Sequence, residues 1–204
     1  SGPSVWITRA RPGAERTAAA LTARGFTPII APLLALEPLD TPLDLTDVAG
    51  LAFTSRNGVT AFADRTPRRD WPVFTVGDAT AEAARACGFV EGLILAPGPR
   101  EPAGDLAGQL AGRAQVRALP LYAAVETDIA PPGVFDAVLV HSPRAARALA
   151  AQPGPVGGSD RLLVAISAAA AAPLGQAGFA EIRIASHPTE DSLLAALGNP
   201  VRPV

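Results

Sequence analysis

The stretch at residues 51–56 reads LAFTSR, an apolar run that ends in small hydroxyl residues and leads into an amphipathic segment. Residues 138–143 read VLVHSP and are followed by a similar segment, 87 positions further along the chain. A short apolar run that passes through a hydroxyl residue into an amphipathic segment is typical of a buried strand followed by a capped helix. Each copy is therefore predicted to be one strand–helix unit of a parallel sheet.

Two further units extend the repeat. Residues 73–77, VFTVG, correspond to residues 163–167, LVAIS, at an offset of 90. Residues 93–97, LILAP, correspond to residues 182–185, IRIA, and a short helical segment follows each of them. Because three strand–helix units recur in the same order, the sequence predicts an α/β fold with two related lobes.

The chain before the first repeat is predicted to form a strand at 5–8, a helix at 14–24 that stops at Gly25, and a strand at 28–36. Three strands would make a thin sheet, whereas five make an ordinary one. We therefore expect the leading elements to join the second repeat.

This arrangement predicts a discontinuous domain, residues 1–36 plus 123–204, with a second domain, residues 37–122, inserted into it. Two extended, proline-marked segments, 33–39 and 118–125, would be the crossings between the two domains.

Composition excludes several functional classes. All 17 basic residues are arginine and 19 residues are acidic, so the chain lacks the positive field that holds nucleic acid. The single cysteine, Cys87, and the two histidines, His141 and His187, do not form a zinc motif or an internal disulfide. With no secretory signal, and no apolar run of membrane-spanning length, the chain is expected to be cytoplasmic.

The loops after the predicted strands are the expected ligand site, because ligands of open parallel sheets bind beyond the carboxyl ends of the strands. Several of these loops place a small hydroxyl residue at a helix start, where free N–H groups favour anions. Simple helix capping explains any one loop, but several together favour an anionic ligand, and arginine favours carboxylates. Neither a dinucleotide glycine motif nor a P-loop is present.

Familiar catalytic groups are scarce. Cys87 is interpreted as a small core residue, His141 has no acidic partner evident in the sequence, and His187 is interpreted as a loop histidine before Thr189, the predicted cap of the last helix. Tyr122 is the only tyrosine and lies in an interdomain crossing, where its phenol could donate a proton or simply fill a domain junction.

These motifs in order resemble the uroporphyrinogen-III synthase family: Thr-Arg after the first strand, FTS at 53–55, VGDATA at 76–81, LY at 121–122, SP at 142–143 and HPT at 187–189. The resemblance covers nearly the whole chain. It implies two flavodoxin-like parallel-sheet domains, one inserted in the other, joined by a two-stranded linker.

The resemblance also implies the chemistry. The expected substrate is hydroxymethylbilane, a linear tetrapyrrole with eight carboxylates, which loses water and is cyclised to uroporphyrinogen III with inversion of ring D. No cofactor and no metal are expected. The implied enzyme is a monomer that receives its substrate, in a transient handover, from hydroxymethylbilane synthase.

Carried over by position, Tyr122 is the implied proton donor to the departing hydroxyl. Ser55, Thr80 and Ser142 are the implied substrate-binding hydroxyls, and Arg9 could pair with a propionate or form a surface salt bridge. Two departures from the family pattern stand out: Ala170 replaces a family threonine, and the inserted domain is short by about one strand–helix unit between 110 and 119.

These departures leave two other interpretations open. One is a noncatalytic homologue that binds a tetrapyrrole as a sensor or scaffold. The other is an unrelated two-lobed binding protein for small acids.

Overall fold

The computed structural model describes residues 2–75, 93–102, 104–112 and 114–200. Strands and helices alternate along this part of the chain, as the sequence pattern predicts. The strands are β1 (Ser4–Ile7), β2 (Thr27–Ile30), β3 (Leu34–Pro38), β4 (Val48–Phe53), β5 (Val73–Thr75), β6 (Leu93–Pro99), β7 (Gln115–Glu126), β8 (Ala137–Val140), β9 (Leu162–Ala165) and β10 (Glu181–Ile184). The helices are α1 (Gly13–Ala23), α2 (Arg56–Arg65), α3 (Leu106–Gln109), α4 (Pro143–Ala150), α5 (Ala168–Ala171) and α6 (Glu190–Leu197), with a 3-10 turn at Ala172–Leu174.

The first sheet has the order β10-β9-β8-β1-β2, and every neighbouring pair is parallel. Its middle strands are continuous apolar runs, and all four residues of β8 are buried, as expected where helices cover both faces. One face packs against α4, whose Leu149 is fully buried, and the other packs against α1 and α6. The expectation that the leading strands join the second repeat in one five-stranded parallel sheet is confirmed.

The second sheet has the order β3-β7-β6-β4-β5. Four of its strands are parallel, whereas β3 is antiparallel to β7. Leu33 O accepts from Thr127 N–H, and Leu39 N–H donates to Leu121 O. The partner's residue number therefore falls as the number along β3 rises, which is the pattern of antiparallel strands. The expectation of two parallel sheets is therefore correct for the first sheet, whereas the second sheet is mixed.

Residues 28–36 form two strands rather than the single predicted one. Strand β2 ends at Ile30 in the first sheet, and β3 begins at Leu34 in the second. Pro32 lies between them and has no N–H for a ladder, and Leu33 N–H bonds to Thr8 O instead. A break at the proline thus moves the chain from one sheet to the other.

Contacts divide the chain into two compact units. The first consists of Ser1–Ala35 with Val125–Val204, and the second of Leu36–Ala124. Strand β7 is 12 residues long: residues 115–122 pair with β6, and its last two residues, Val125 and Glu126, belong to the first unit. In the described part of the chain, none of the helices combines the length and the apolar character of a membrane span.

Candidate functional site

Ser55 and Tyr122 lie side by side in the second unit. Strand β4 ends at Phe53, and Ser55 caps α2, its Oγ accepting a hydrogen bond from Gly58 N–H at 3.1 Å. Tyr122 lies on β7, and its hydroxyl oxygen is 2.9 Å from the same Ser55 Oγ. The structure therefore brings together two of the residues that the sequence implicated, although 67 positions separate them.

The Tyr122 ring is held firmly. It is 7% exposed and belongs to an apolar cluster on one face of the second sheet, with Phe53 and Leu121 among its members. The backbone is fixed too, because Arg100 N–H donates to Tyr122 O at 2.8 Å. With ring and backbone fixed, the phenol oxygen stays at the start of α2.

A glycine lets α2 approach β6 this closely. A Cβ on Gly58 would lie 2.7 Å from Pro97 O, closer than side-chain carbons come to backbone oxygens. Gly58 is also the residue whose N–H is bonded by Ser55. The position of Ser55 beside Tyr122 thus depends on glycine at position 58.

A cavity of about 490 Å³ lies on the opposite face of the second sheet, at the carboxyl ends of β4 and β6. Thr54, Asp105 and small residues such as Ala96 line it, but neither Ser55 nor Tyr122 does. Asp105 is already engaged, since its Oδ1 accepts from Gly108 N–H. This cavity is therefore separate from the Ser55–Tyr122 pair.

A second polar cluster lies in the first unit, where β1 and β8 end beside the start of α6. Glu190 is at its centre. Its Oε2 accepts hydrogen bonds from His141 Nε2 at 2.9 Å and from Arg9 Nη1 at 3.2 Å. Its Oε1 accepts one from Thr17 Oγ1 at 2.6 Å. His141 Nδ1 is buried and has no hydrogen-bond partner among the described residues. The acidic partner of His141, not evident in the sequence, is thus Glu190.

Burial lowers the pKa of His141 below its usual 6.5, because desolvation outweighs the hydrogen bond with Glu190. Burial alone would raise the pKa of Glu190, but its interactions with His141, Thr17 and Arg9 lower it to about 2. The cluster therefore holds an ionised carboxylate beside a neutral imidazole at pH 7. One signal in the sequence was available: an acidic residue directly after a capping threonine lies where a helix dipole favours it.

The other predicted residues are placed as follows. Ser142 caps α4 and accepts from Ala145 N–H at 3.1 Å, and Thr189 caps α6, as predicted. Arg9 forms a salt bridge with Glu190, and its guanidinium packs where a Cβ on Gly13 would be.

Thr80 and Cys87 lie outside the described residues. Within the described ranges, no group of His, Cys, Asp and Glu residues could hold a metal ion.

The loop that precedes Ala170, the position where the family has a threonine, also caps a helix. Ser167 Oγ accepts from Ala170 N–H at 3.2 Å, and the Ala170 side chain is fully buried. The loop therefore keeps the capping hydroxyl, while position 170 offers only a methyl group.

Comparison with known proteins adds independent information. The sequence model of the family described as "Uroporphyrinogen-III synthase HemD" matches residues 15–131, more than half of the chain. The fold is similar to that of uroporphyrinogen-III synthetase from Helicobacter pylori, with TM-score 0.62 and 15% identity over 96% of this chain and 97% of that one. A mutant uroporphyrinogen III synthase from Thermus thermophilus gives TM-score 0.51 and 15% identity, with coverage of 96% and 97%.

No curated protein sequence matches significantly. At 15% identity the solved structures establish a shared fold, and the family model establishes membership. The family indicated by the ordered motifs is confirmed: this chain belongs to the uroporphyrinogen-III synthase family.

Proposed function

We propose that Tyr122 supplies the proton in the reaction of this chain, which as a uroporphyrinogen-III synthase closes hydroxymethylbilane to uroporphyrinogen III, inverting ring D and releasing water. The observation that carries this role is the fixed phenol oxygen of Tyr122, 2.9 Å from the capping Ser55 at the start of a ten-residue helix. A phenol whose ring and backbone are fixed can donate its proton to a substrate hydroxyl bound beside it.

The proton balance is simple. Tyr122 O–H gives its proton to the terminal hydroxyl, and the C–O bond breaks with its electron pair on the departing water. The lone pair of the pyrrole nitrogen then stabilises the carbon that carried the hydroxyl. The substituted carbon of ring D then attacks, and the spirocyclic intermediate reopens and recloses. Loss of the last ring D proton restores aromaticity and balances the proton that Tyr122 gave. Holding the reactive conformation is the larger part of the work.

Helix starts are proposed to hold the substrate carboxylates. The free N–H groups of the first turns of α2 and α4, capped by Ser55 and Ser142, favour negative charge. Thr80 is proposed to bind a substrate carboxylate through its hydroxyl. Arg9, whose Nη1 donates to Glu190, is also proposed to pair with a substrate propionate.

The proposed organisation follows the family. Residues 1–36 plus 123–204 and residues 37–122 would be two flavodoxin-like domains joined by a two-stranded linker. The first sheet supports this assignment for the first domain: when only its own five strands are counted along the chain, their spatial order is 2-1-3-4-5, which is the flavodoxin-like order. We also propose that the protein works in the cytoplasm as a monomer and receives its substrate directly from hydroxymethylbilane synthase.

A noncatalytic tetrapyrrole-binding homologue is the competing function. Ala170 favours it, because a buried methyl group replaces a hydroxyl that the family uses at that position.

The experiment that tests the proton donor is the Tyr122→Phe substitution. It removes the phenolic proton and keeps the ring that packs with Phe53 and Leu121, so we expect a folded protein. General-acid assistance is worth about 10²- to 10⁴-fold, and because the leaving group is already activated we expect kcat to fall by about 10- to 100-fold. Turnover equal to that of the parent at saturating substrate would make Tyr122 a structural residue.

A further inference from the structure

We propose that Ser55 is a positioning residue for Tyr122: its hydroxyl donates a hydrogen bond to the Tyr122 oxygen and so leaves the Tyr122 proton for the substrate. This inference rests on the proposed role of Tyr122. It goes further by assigning the direction of the 2.9 Å hydrogen bond, which either oxygen could donate.

The contacts of Ser55 favour this direction. Gly58 N–H can only donate, so it occupies one acceptor position of Ser55 Oγ, at 3.1 Å. A hydroxyl that already accepts a hydrogen bond is polarised to donate its own proton, because hydrogen bonds in a chain strengthen one another. Among the described residues, the Tyr122 oxygen is the acceptor within hydrogen-bond distance of that proton.

The direction matters for proton transfer. Negative charge builds up on the Tyr122 oxygen as its proton leaves, and a donated hydrogen bond stabilises that charge. The N-terminus of α2, a helix of ten residues, lies at the same point and adds the favourable end of its dipole. If Tyr122 donated to Ser55 instead, its proton would be engaged before the substrate bound.

Other capping serines show what is particular to Ser55. Ser142 accepts from Ala145 N–H at the same 3.1 Å, and Ser167 accepts from Ala170 N–H at 3.2 Å. Both form the same type of cap as Ser55, whereas the single tyrosine of the chain, Tyr122, is hydrogen-bonded to Ser55. Capping alone therefore does not explain the contact of Ser55 with the phenol.

The test compares two substitutions that both retain the cap. In Ser55→Asp the side chain still accepts from Gly58 N–H, since aspartate is an equally good cap, but an ionised carboxylate cannot donate to Tyr122. In Ser55→Thr the hydroxyl remains, so both bonds can form. Ser142→Ala is a control for the Raman readout alone: it removes a cap of the same length in the other unit, where the chain has no tyrosine.

The first readout is the tyrosine Raman doublet, whose intensity ratio distinguishes a phenol that accepts hydrogen bonds from one that only donates. It needs no substrate, and the single tyrosine makes the signal unambiguous. We expect acceptor character in the parent, Ser55→Thr and Ser142→Ala proteins and pure donor character in Ser55→Asp. Pure donor character in the parent would overturn the proposal.

The second readout is turnover. The new carboxylate of Ser55→Asp also repels the substrate carboxylates, which raises KM, so kcat is compared at saturating substrate. There we expect Ser55→Asp to lower kcat by about as much as Tyr122→Phe, and Ser55→Thr to keep kcat near that of the parent. Parent-like kcat in Ser55→Asp would overturn the positioning role. If the parent itself makes no isomer III, the proposed function fails, and the Raman doublet still decides the direction of the hydrogen bond.

Discussion

Replacing Gly58 by alanine should destabilise the second unit and displace Ser55. The new methyl group would lie 2.7 Å from Pro97 O, and a backbone oxygen in a strand cannot rotate away as a side chain can. The first turn of α2 must therefore shift outward, and Ser55 moves with it, away from Tyr122.

The magnitude follows from two opposing contributions. Alanine in place of glycine in a helix stabilises by about 0.5–1 kcal/mol, whereas overpacking against a closely fitted neighbour costs about 1–3 kcal/mol. We expect a net loss of about 1–2 kcal/mol. At a urea dependence of about 2 kcal/mol per M, the unfolding midpoint would fall by about 0.5–1 M.

The assay is urea unfolding followed by ¹⁹F NMR of protein labelled with fluorotryptophan. The chain has two tryptophans, Trp6 in the first unit and Trp71 in the second, and Trp71 packs edge-to-face against Phe62 of α2. Gly98→Ala is the control, since a methyl group there meets nothing within 4 Å. A Trp71 midpoint in Gly58→Ala equal to or above that of Gly98→Ala would refute the reasoning.

Two further predictions concern the first unit. If the two units are separate domains, the Trp6 midpoint should stay unchanged in Gly58→Ala, and an equal shift of both signals would contradict the division. Glu190→Gln should lower the stability of the first unit near pH 7 by about 1 kcal/mol, a value reduced because the side chain is partly exposed to water. Because the pKa of Glu190 lies near 2 against 4.5 when unfolded, this stabilisation is complete above pH 4.5 and is lost as the pH falls toward 2. An equal difference at pH 7 and pH 3 would contradict this, and Glu181→Gln, at an exposed ion pair with Arg183, is the control.

The sequence predicted the features that depend on residues close together in the chain, such as the helix caps. The capping roles of Ser55, Ser142 and Thr189 follow from a hydroxyl residue placed before an amphipathic run, and each is present in the structure. The recurrence of the strand–helix units also predicted which strands share the first sheet.

Pairings over long sequence distances were not predictable in the same way. The break at Pro32 and the antiparallel direction of β3 depend on how the chain passes between sheets. The His141–Glu190 contact, 49 positions apart, and the Ser55–Tyr122 contact depend on the register of neighbouring elements. Register is set by packing of the whole sheet, which a single sequence does not display.

Uroporphyrinogen-III synthesis itself is tested most directly by the identity of the product isomer. Hydroxymethylbilane made in situ from porphobilinogen by a deaminase cyclises unaided to the symmetric isomer I, so any isomer III must come from the protein. We expect the parent protein to divert the product to isomer III, resolved by chromatography of the oxidised porphyrins, and Tyr122→Phe to do so more slowly. Only isomer I, with the protein present well above the substrate concentration, would contradict the account, and tetrapyrrole binding in that same sample would identify a noncatalytic homologue.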